Sequence, residues 1–68
     1  MWYFTFGLDH PFANYVQPIN GSSEEARLRM FQVYGRNWGF QYTEAEMKDK
    51  PYKKLPVMEG LSDDDNGY

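Results

Sequence analysis

The sequence predicts a small α+β domain with the element order β-β-α-β and a short second helix. Two observations favour this class. Apolar side chains alternate with a period of two in three short segments, and a segment before the third has helical spacing with a cap at each end. The chain has 68 residues, enough for one domain, and 19% of them are aromatic. Large aromatic side chains bury much area per residue, which helps so short a chain to form a core.

The first two strands are predicted in the segments WYFTF and YVQPIN. In the first segment, Trp2, Phe4 and Phe6 alternate with polar or smaller residues and therefore share one face. The loop between the two segments contains the aspartate, proline and asparagine that are typical of turns. Pro18 in the second segment has no backbone N–H to donate to a sheet, so we expect this strand to lie at an edge.

A helix is predicted between Ser22 and Gly35. Ser22 and Glu25 have the spacing of a capping box, and Gly35 suits the position just after a helix end. The apolar stripe of this helix has i, i+4, i+7, i+8 spacing and consists of Ala26, Met30, Val33 and Tyr34.

The segment NWGFQY predicts the third strand. Trp38, Phe40 and Tyr42 alternate with Gly39 and Gln41, so we expect the three aromatic rings to share the face that packs under the helix. A second capping box and a later proline then predict a short helix of about two turns. The domain is expected to span residues 1–58, and the acidic residues 59–68 are expected to form a disordered tail.

The crossover through the helix suggests how the strands are ordered. A right-handed crossover that skips one position places the first strand in the middle, which gives a three-stranded antiparallel sheet of order 2-1-3 with the helix packed on one face. The other face would then be open and would present Tyr3, Thr5, Gly39 and Gln41. That face has one aromatic ring and no lysine or arginine, which argues against a platform that stacks RNA bases.

The net charge of −3 is unevenly distributed along the chain. Three basic and three acidic side chains cancel in residues 1–42, four lysines oppose three carboxylates in residues 43–58, and four carboxylates are unopposed in residues 59–68. A nearly neutral body with an acidic tail is not the basic footprint of a nucleic-acid-binding protein. The sequence contains no cysteine, which excludes disulfides and cysteine-based zinc sites.

The sequence offers no set of catalytic residues. His10 is the only histidine, and its neighbour Asp9 would point away from it on an extended chain. No glycine-rich phosphate loop or metal-ligand spacing is present. We therefore expect no enzyme activity, no cofactor and no metal site.

Candidate partner-binding residues come from aromatic side chains near sheet edges and from the charged segments. Aromatic residues at an edge suit a protein interface, and clustered charges suit a partner of opposite charge. The candidates are Trp2, Tyr15, Lys48, Lys53, Lys54, Asp63, Asp64 and Asp65.

The chain contains YFTFG, a histidine in the next loop, YV, and then EEAR, MF, YG and WGFQY. In these segments the chain resembles a group of short uncharacterised phage and prophage proteins of Gram-positive bacteria. The resemblance covers residues 3–42 and implies an accessory gene on a mobile element, with no catalytic residue to carry over. It also implies a protein of the bacterial cytoplasm. Neither a signal peptide nor a stretch of roughly 20 apolar residues is seen. Small phage proteins of this size include inhibitors of CRISPR nucleases.

We therefore expect a non-enzymatic protein that binds and inhibits or modulates a host protein, such as a CRISPR nuclease or another defence factor. Two alternatives stay open. One is a nucleic-acid-binding module that uses the Lys48–Lys54 cluster, and the other is a homo-oligomeric accessory protein whose exposed aromatic rings pair between copies. No contact with a membrane is expected.

Overall fold

The computed structural model describes residues 1–61, which form two helices and one mixed sheet of five strands. The first two strands, the long helix and the third strand occur where the sequence predicts them. The second helix is a single turn rather than about two. The elements are β1 (Trp2–Phe6), β2 (Tyr15–Asn20), α1 (Ser23–Tyr34), β3 (Trp38–Thr43), α2 (Glu44–Met47), β4 (Lys53–Lys54) and β5 (Met58–Glu59).

The strand order differs from the predicted one. β1 lies between β2 and β3 and is antiparallel to both, as expected. The prediction of a three-stranded, wholly antiparallel sheet of order 2-1-3 is wrong, however, because β4 and β5 pair in parallel with the far side of β2. Each of these added strands is two residues long, too short for the alternation by which a strand is recognised in a sequence.

Pro18 consequently lies inside the sheet rather than at its edge. The carbonyl groups of Asn14, Val16 and Asn20 accept hydrogen bonds from the segment that contains β4 and β5. The N–H and C=O groups of successive strand residues point to opposite sides, so the backbone groups of Pro18 point to the same side as those of Val16 and Asn20, toward this segment. Its missing N–H falls between β4 and β5, where the ladder is interrupted, and proline is tolerated there without loss of a hydrogen bond.

The side chain of Gln17 bridges this interruption. Its Nε2 donates to the carbonyl oxygens of Pro18 at 3.0 Å and Pro56 at 2.6 Å, and its Oε1 accepts from the hydroxyl of Tyr34 at 3.0 Å. Gln17 is only 2% exposed, so these bonds form away from water. Burial raises the pKa of Tyr34, which keeps the hydroxyl protonated as a donor. One amide thus joins β2, the β4–β5 connection and α1.

The main core lies between the sheet and α1. Its fully packed members come from β1, β2 and one face of the helix, and the ring of Trp38 meets that of Phe4 edge-on at 5.1 Å. The predicted capping box is present, since Ser22 and Glu25 each bond the other's backbone N–H. The buried members of this core are Phe4, Phe6, Ile19, Ala26 and Met30.

The opposite face of the sheet is covered as well. Tyr3 and Val16 pack there against Met47 of α2, with Tyr42 and Tyr52 at the margin. The expectation of an open face is therefore wrong, because α2 and the chain after it fold across this side. A sequence pattern places side chains on one face or the other but does not show which later segment covers them.

A bulge in β3 changes the facing of its side chains. Gln41 lies opposite Phe4, and Trp38 lies opposite Phe6. Three residues of β3 therefore span the distance that two residues of β1 span, and the side chains of β3 on either side of the bulge no longer alternate between the two faces of the sheet. Trp38 and Gln41 both face α1: Trp38 packs against the main core, and the Gln41 amide donates to Ser23 at 2.9 Å.

The predicted aromatic face of β3 is accordingly wrong for two of its three rings. Phe40 and Tyr42 lie on the side of α2, next to each other, while Trp38 alone packs under α1. The backbone N–H of Phe40 donates to the Thr5 hydroxyl at 3.2 Å rather than to a ladder carbonyl. The side chain of Phe40 is 69% exposed.

The fold continues beyond the predicted domain end at residue 58. Met58 and Glu59 form β5, and the N–H of Gly60 donates to Asn20 at 2.8 Å. The N–H of Leu61 donates to the carbonyl of Glu25 on α1 at 3.0 Å. Residues 59–61 of the expected tail are therefore hydrogen-bonded to the domain. Residues 62–68, including Asp63, Asp64 and Asp65, lie outside the described part of the chain.

Replacing Gln17 with leucine should lower the free energy of unfolding by about 1–3 kcal/mol, because the Tyr34 hydroxyl and two carbonyl groups lose a buried partner. Urea unfolding followed by tryptophan fluorescence measures this. Gln32→Leu is the matched control, since the Gln32 amide lies on the exposed side of α1. Equal stability of the two variants would contradict the bridging role of Gln17.

Gly60→Ala should also destabilise the fold, by about 1–3 kcal/mol, because the added methyl group has no room. A Cβ at this position would lie 2.9 Å from the backbone carbon of Glu25 and 3.0 Å from the carbonyl oxygen of Asn20. Gly7→Ala is the control, because a Cβ at Gly7 meets no atom within 4 Å. Thermal unfolding of both variants should show a lower midpoint for Gly60→Ala alone, and an unchanged midpoint would show that residue 60 does not pack on α1.

Candidate binding surfaces

The two aromatic residues predicted at sheet edges do not lie at a free edge. Trp2 is half-buried and has a strand neighbour on both sides, Ile19 on β2 and Thr43 on β3. Tyr15 is half-buried and pairs with Lys53 on β4. In the described sheet β3 has one neighbour and therefore forms an edge. The exposed aromatic side chains near this edge are Phe40 of β3 and Phe31 of α1.

Lysine side chains gather on the side of the sheet that α2 covers. Lys48 and Lys54, both among the predicted candidates, line one cleft of about 770 Å³ together with Lys50, another lysine of the predicted Lys48–Lys54 cluster. The floor of this cleft includes Tyr3. Lys53 lines a neighbouring cleft of about 570 Å³, in which Lys50 also takes part. The candidate lysines therefore surround α2 and β4 on two adjoining surfaces.

Two of these amines lie over aromatic rings. The Nζ of Lys50 is 4.9 Å from the ring centre of Tyr42, and the Nζ of Lys54 is 5.4 Å from that of Tyr3. These are cation–π distances, at which the ring attracts the ammonium without neutralising it. The exposed ring of Phe40 lies 6.3 Å from that of Tyr42. The surface formed by Phe40, Tyr42, Lys48, Lys50 and Lys54 is called the lysine face below.

The single turn of α2 connects β3 to the segment that carries these lysines. Thr43 caps this turn through its hydroxyl, and the Glu46 carboxylate accepts from the Thr43 N–H at 2.8 Å. The hydrogen bonds from the backbone and side chain of Thr43, together with the nearby Lys50 ammonium, lower the pKa of Glu46. The capping box predicted from the sequence is therefore present, and it favours the ionised form of Glu46.

A second surface lies on the outer side of α1. Leu28 and Phe31 form the apolar part of a shallow groove of about 440 Å³, with Glu24 and Arg27 at its rim. Phe31 is 46% exposed although its ring meets that of Trp38 edge-on at 5.7 Å. The groove formed by Ser23, Glu24, Arg27, Leu28 and Phe31 is called the helix groove below. It lies on the α1 side of β3, and the lysine face lies on the α2 side.

His10 has a structural role in the loop between β1 and β2. Its Nδ1 accepts the backbone N–H of Phe12 at 3.0 Å, and its ring stacks on Phe6 at 4.6 Å. One ring nitrogen is thus occupied in shaping the loop between β1 and β2. Within residues 1–61, no group of three or more histidine, aspartate or glutamate side chains is placed to hold a metal ion.

Comparison with protein-family models, with curated proteins and with solved structures gave no match. In the described part of the chain, no helix has the length and apolar character needed to cross a membrane.

The stability of the α2 cap should depend on pH through Glu46. A carboxyl whose pKa is lowered by folding stabilises the fold above its unfolded pKa, and this stabilisation is lost as the pH falls through the folded pKa. The Glu46 side chain should therefore titrate below the ordinary value of 4.5 in an NMR pH titration. In Thr43→Ala the midpoint should rise, because the hydroxyl is removed. A midpoint that does not change in Thr43→Ala would contradict this account of the cap.

Proposed function

We propose that this chain is a non-enzymatic binding module that docks onto a partner protein through the helix groove and modulates that partner. The observation that carries the proposal is Phe31. Its ring is held in place by Trp38, yet nearly half of its surface stays in water. Burying a phenylalanine side chain yields about 1.5–3 kcal/mol, so a partner that covers Phe31 gains affinity without first ordering a flexible side chain.

The chemistry of the groove suits a protein rather than a small charged ligand. Leu28 and Phe31 provide an apolar centre, while Arg27 and Glu24 at the rim supply charges of opposite sign. Apolar aromatic anchors surrounded by a polar rim are typical of protein interfaces, in which aromatic residues and arginine contribute most of the binding energy. A volume of about 440 Å³ can accept one or two apolar side chains of a partner.

The resemblance to phage and prophage proteins supports a bacterial host protein as the partner. A small accessory protein without catalytic machinery acts by occupying a surface of a larger protein. The proposed role is therefore inhibition or modulation of a cytoplasmic host protein, and CRISPR nucleases and other defence factors belong to the class to be tested. This part of the proposal comes from the sequence resemblance and not from the helix groove.

A second copy of the chain is the other candidate partner, because β3 has one neighbour among the strands of residues 1–61 and its segment WGFQYT contains no charged side chain. Edge strands without charges are prone to pair with other chains. The bulge at Phe40 and the capping of the Thr43 N–H by Glu46 interrupt this edge, however. Few successive backbone groups remain for strand pairing, which favours the helix groove as the docking surface.

Phe31→Ser should abolish retention of the partner by the purified protein, because loss of a central aromatic anchor costs about 2 kcal/mol or more, roughly a thirtyfold loss of affinity. The measurement is affinity capture from a lysate of a bacterium with active defence systems, followed by titration with the purified partner. Leu8→Ser is the matched control, because Leu8 is an exposed apolar residue in the β1–β2 loop.

A protein retained equally by the wild type and by Phe31→Ser would contradict docking through the helix groove. Sedimentation of the wild type over a range of concentrations distinguishes the second candidate. A mass that rises with concentration and falls to that of a monomer in a β3 variant would identify a second copy as the partner.

A further inference from the structure

We propose that the lysine face binds single-stranded nucleic acid. This site is separate from the helix groove, so the inference does not depend on the function proposed above. The sequence argues against a stacking platform because its expected open face has one aromatic ring and no basic residue. The folded chain changes that balance: the bulge moves Phe40 to the α2 side, and the segment after α2 brings Lys50 over the ring of Tyr42, which lies beside that of Phe40.

The first element of the site is the exposed aromatic ring of Phe40, which lies beside the half-buried ring of Tyr42. Phe40 is 69% exposed, and its ring centre is 6.3 Å from that of Tyr42, with a tilt of 49° between the planes. Exposed ring faces are what proteins use to stack unpaired bases, without dependence on base identity. A duplex hides its base faces, so this element favours a single strand. A bulge that directs a side chain outward is a common device at binding sites.

The second element is positive charge beside those rings. Three lysines and one glutamate, Glu44, line the cleft. Lys50 and Lys54 each lie over a tyrosine ring, which restrains the ammonium group while leaving its charge and hydrogen atoms available to a phosphate. Basic side chains that alternate with exposed aromatic rings are the combination found in sites for single-stranded nucleic acids.

The two elements together distinguish the ligand from other anions. An acidic peptide would satisfy the lysines and leave the exposed ring of Phe40 without a stacking partner. Because the whole chain carries a net charge of −3, long-range attraction is weak. We therefore expect affinity in the range of non-specific nucleic-acid binding, about 10⁻⁴–10⁻⁶ M, with a clear dependence on salt.

The test is fluorescence anisotropy with labelled oligo(dT) and oligo(U) of about 16 nucleotides, at low and at moderate salt. The wild type should bind at least one of them. Phe40→Ser should weaken binding by about fivefold or more through lost stacking. Lys48→Gln combined with Lys54→Gln should weaken binding and reduce the slope of log affinity against log salt by about two. Both variants alter exposed side chains, and far-UV circular dichroism verifies that they are folded.

Matched controls lie away from the lysine face. Leu8→Ser removes an exposed apolar side chain, and Arg36→Gln removes an exposed positive charge, so both should bind like the wild type. The proposal is overturned if the wild type does not bind either oligonucleotide at low salt. It is also overturned if the Phe40 variant and the double-lysine variant bind as tightly as the wild type. Duplex DNA that binds as tightly as the single strand would also overturn it. The proposal is likewise overturned if an acidic peptide displaces the labelled oligonucleotide as effectively as the unlabelled oligonucleotide does.

Discussion

The side-chain amide of Gln17 is the interaction on which the rest of the structure depends. A proline inside a sheet leaves one position without a donor, and here that position coincides with the interruption between β4 and β5. Gln17 supplies the donor from its side chain and accepts a hydrogen bond from Tyr34 on α1. A buried amide with all of these partners is far less costly than an unpaired one, and it specifies one arrangement of three segments.

The docking of the last described segment against β2 supports both candidate surfaces. On one side, β5 and the residues after it bond to α1, which supports the helix whose outer face carries Phe31. On the other side, β4 carries Lys54 to the ring of Tyr3. β3 separates the two surfaces. Because of its bulge, the side chain of Trp38 packs in the core while that of Phe40 is exposed to solvent. The helix groove and the lysine face therefore lie on opposite sides of β3, so the two proposed partners would not compete.

Most elements of the fold could be predicted because their signals are local. Capping boxes at Ser22 and Thr43 and the alternation in β1 depend on neighbouring residues alone, and all are present. The pairing of β4 and β5 could not be predicted, since it depends on hydrogen bonds across nearly 40 positions, such as that from Gln17 to Pro56. The sites followed the same division. The candidate lysines near α2 could be chosen from their clustering, whereas the exposure of Phe40 on the α2 side could be seen only once the bulge was known.

Native-state hydrogen exchange of the backbone amides of Leu55, Gly60 and Leu61 tests the central claim most directly, because these N–H groups tie the last described segment to β2 and α1. The account predicts that they exchange as slowly as the amides of β1, and that all three lose protection together in Gln17→Leu. Rapid exchange of these amides in the wild type, with β1 still protected, would show that the segment does not dock as described.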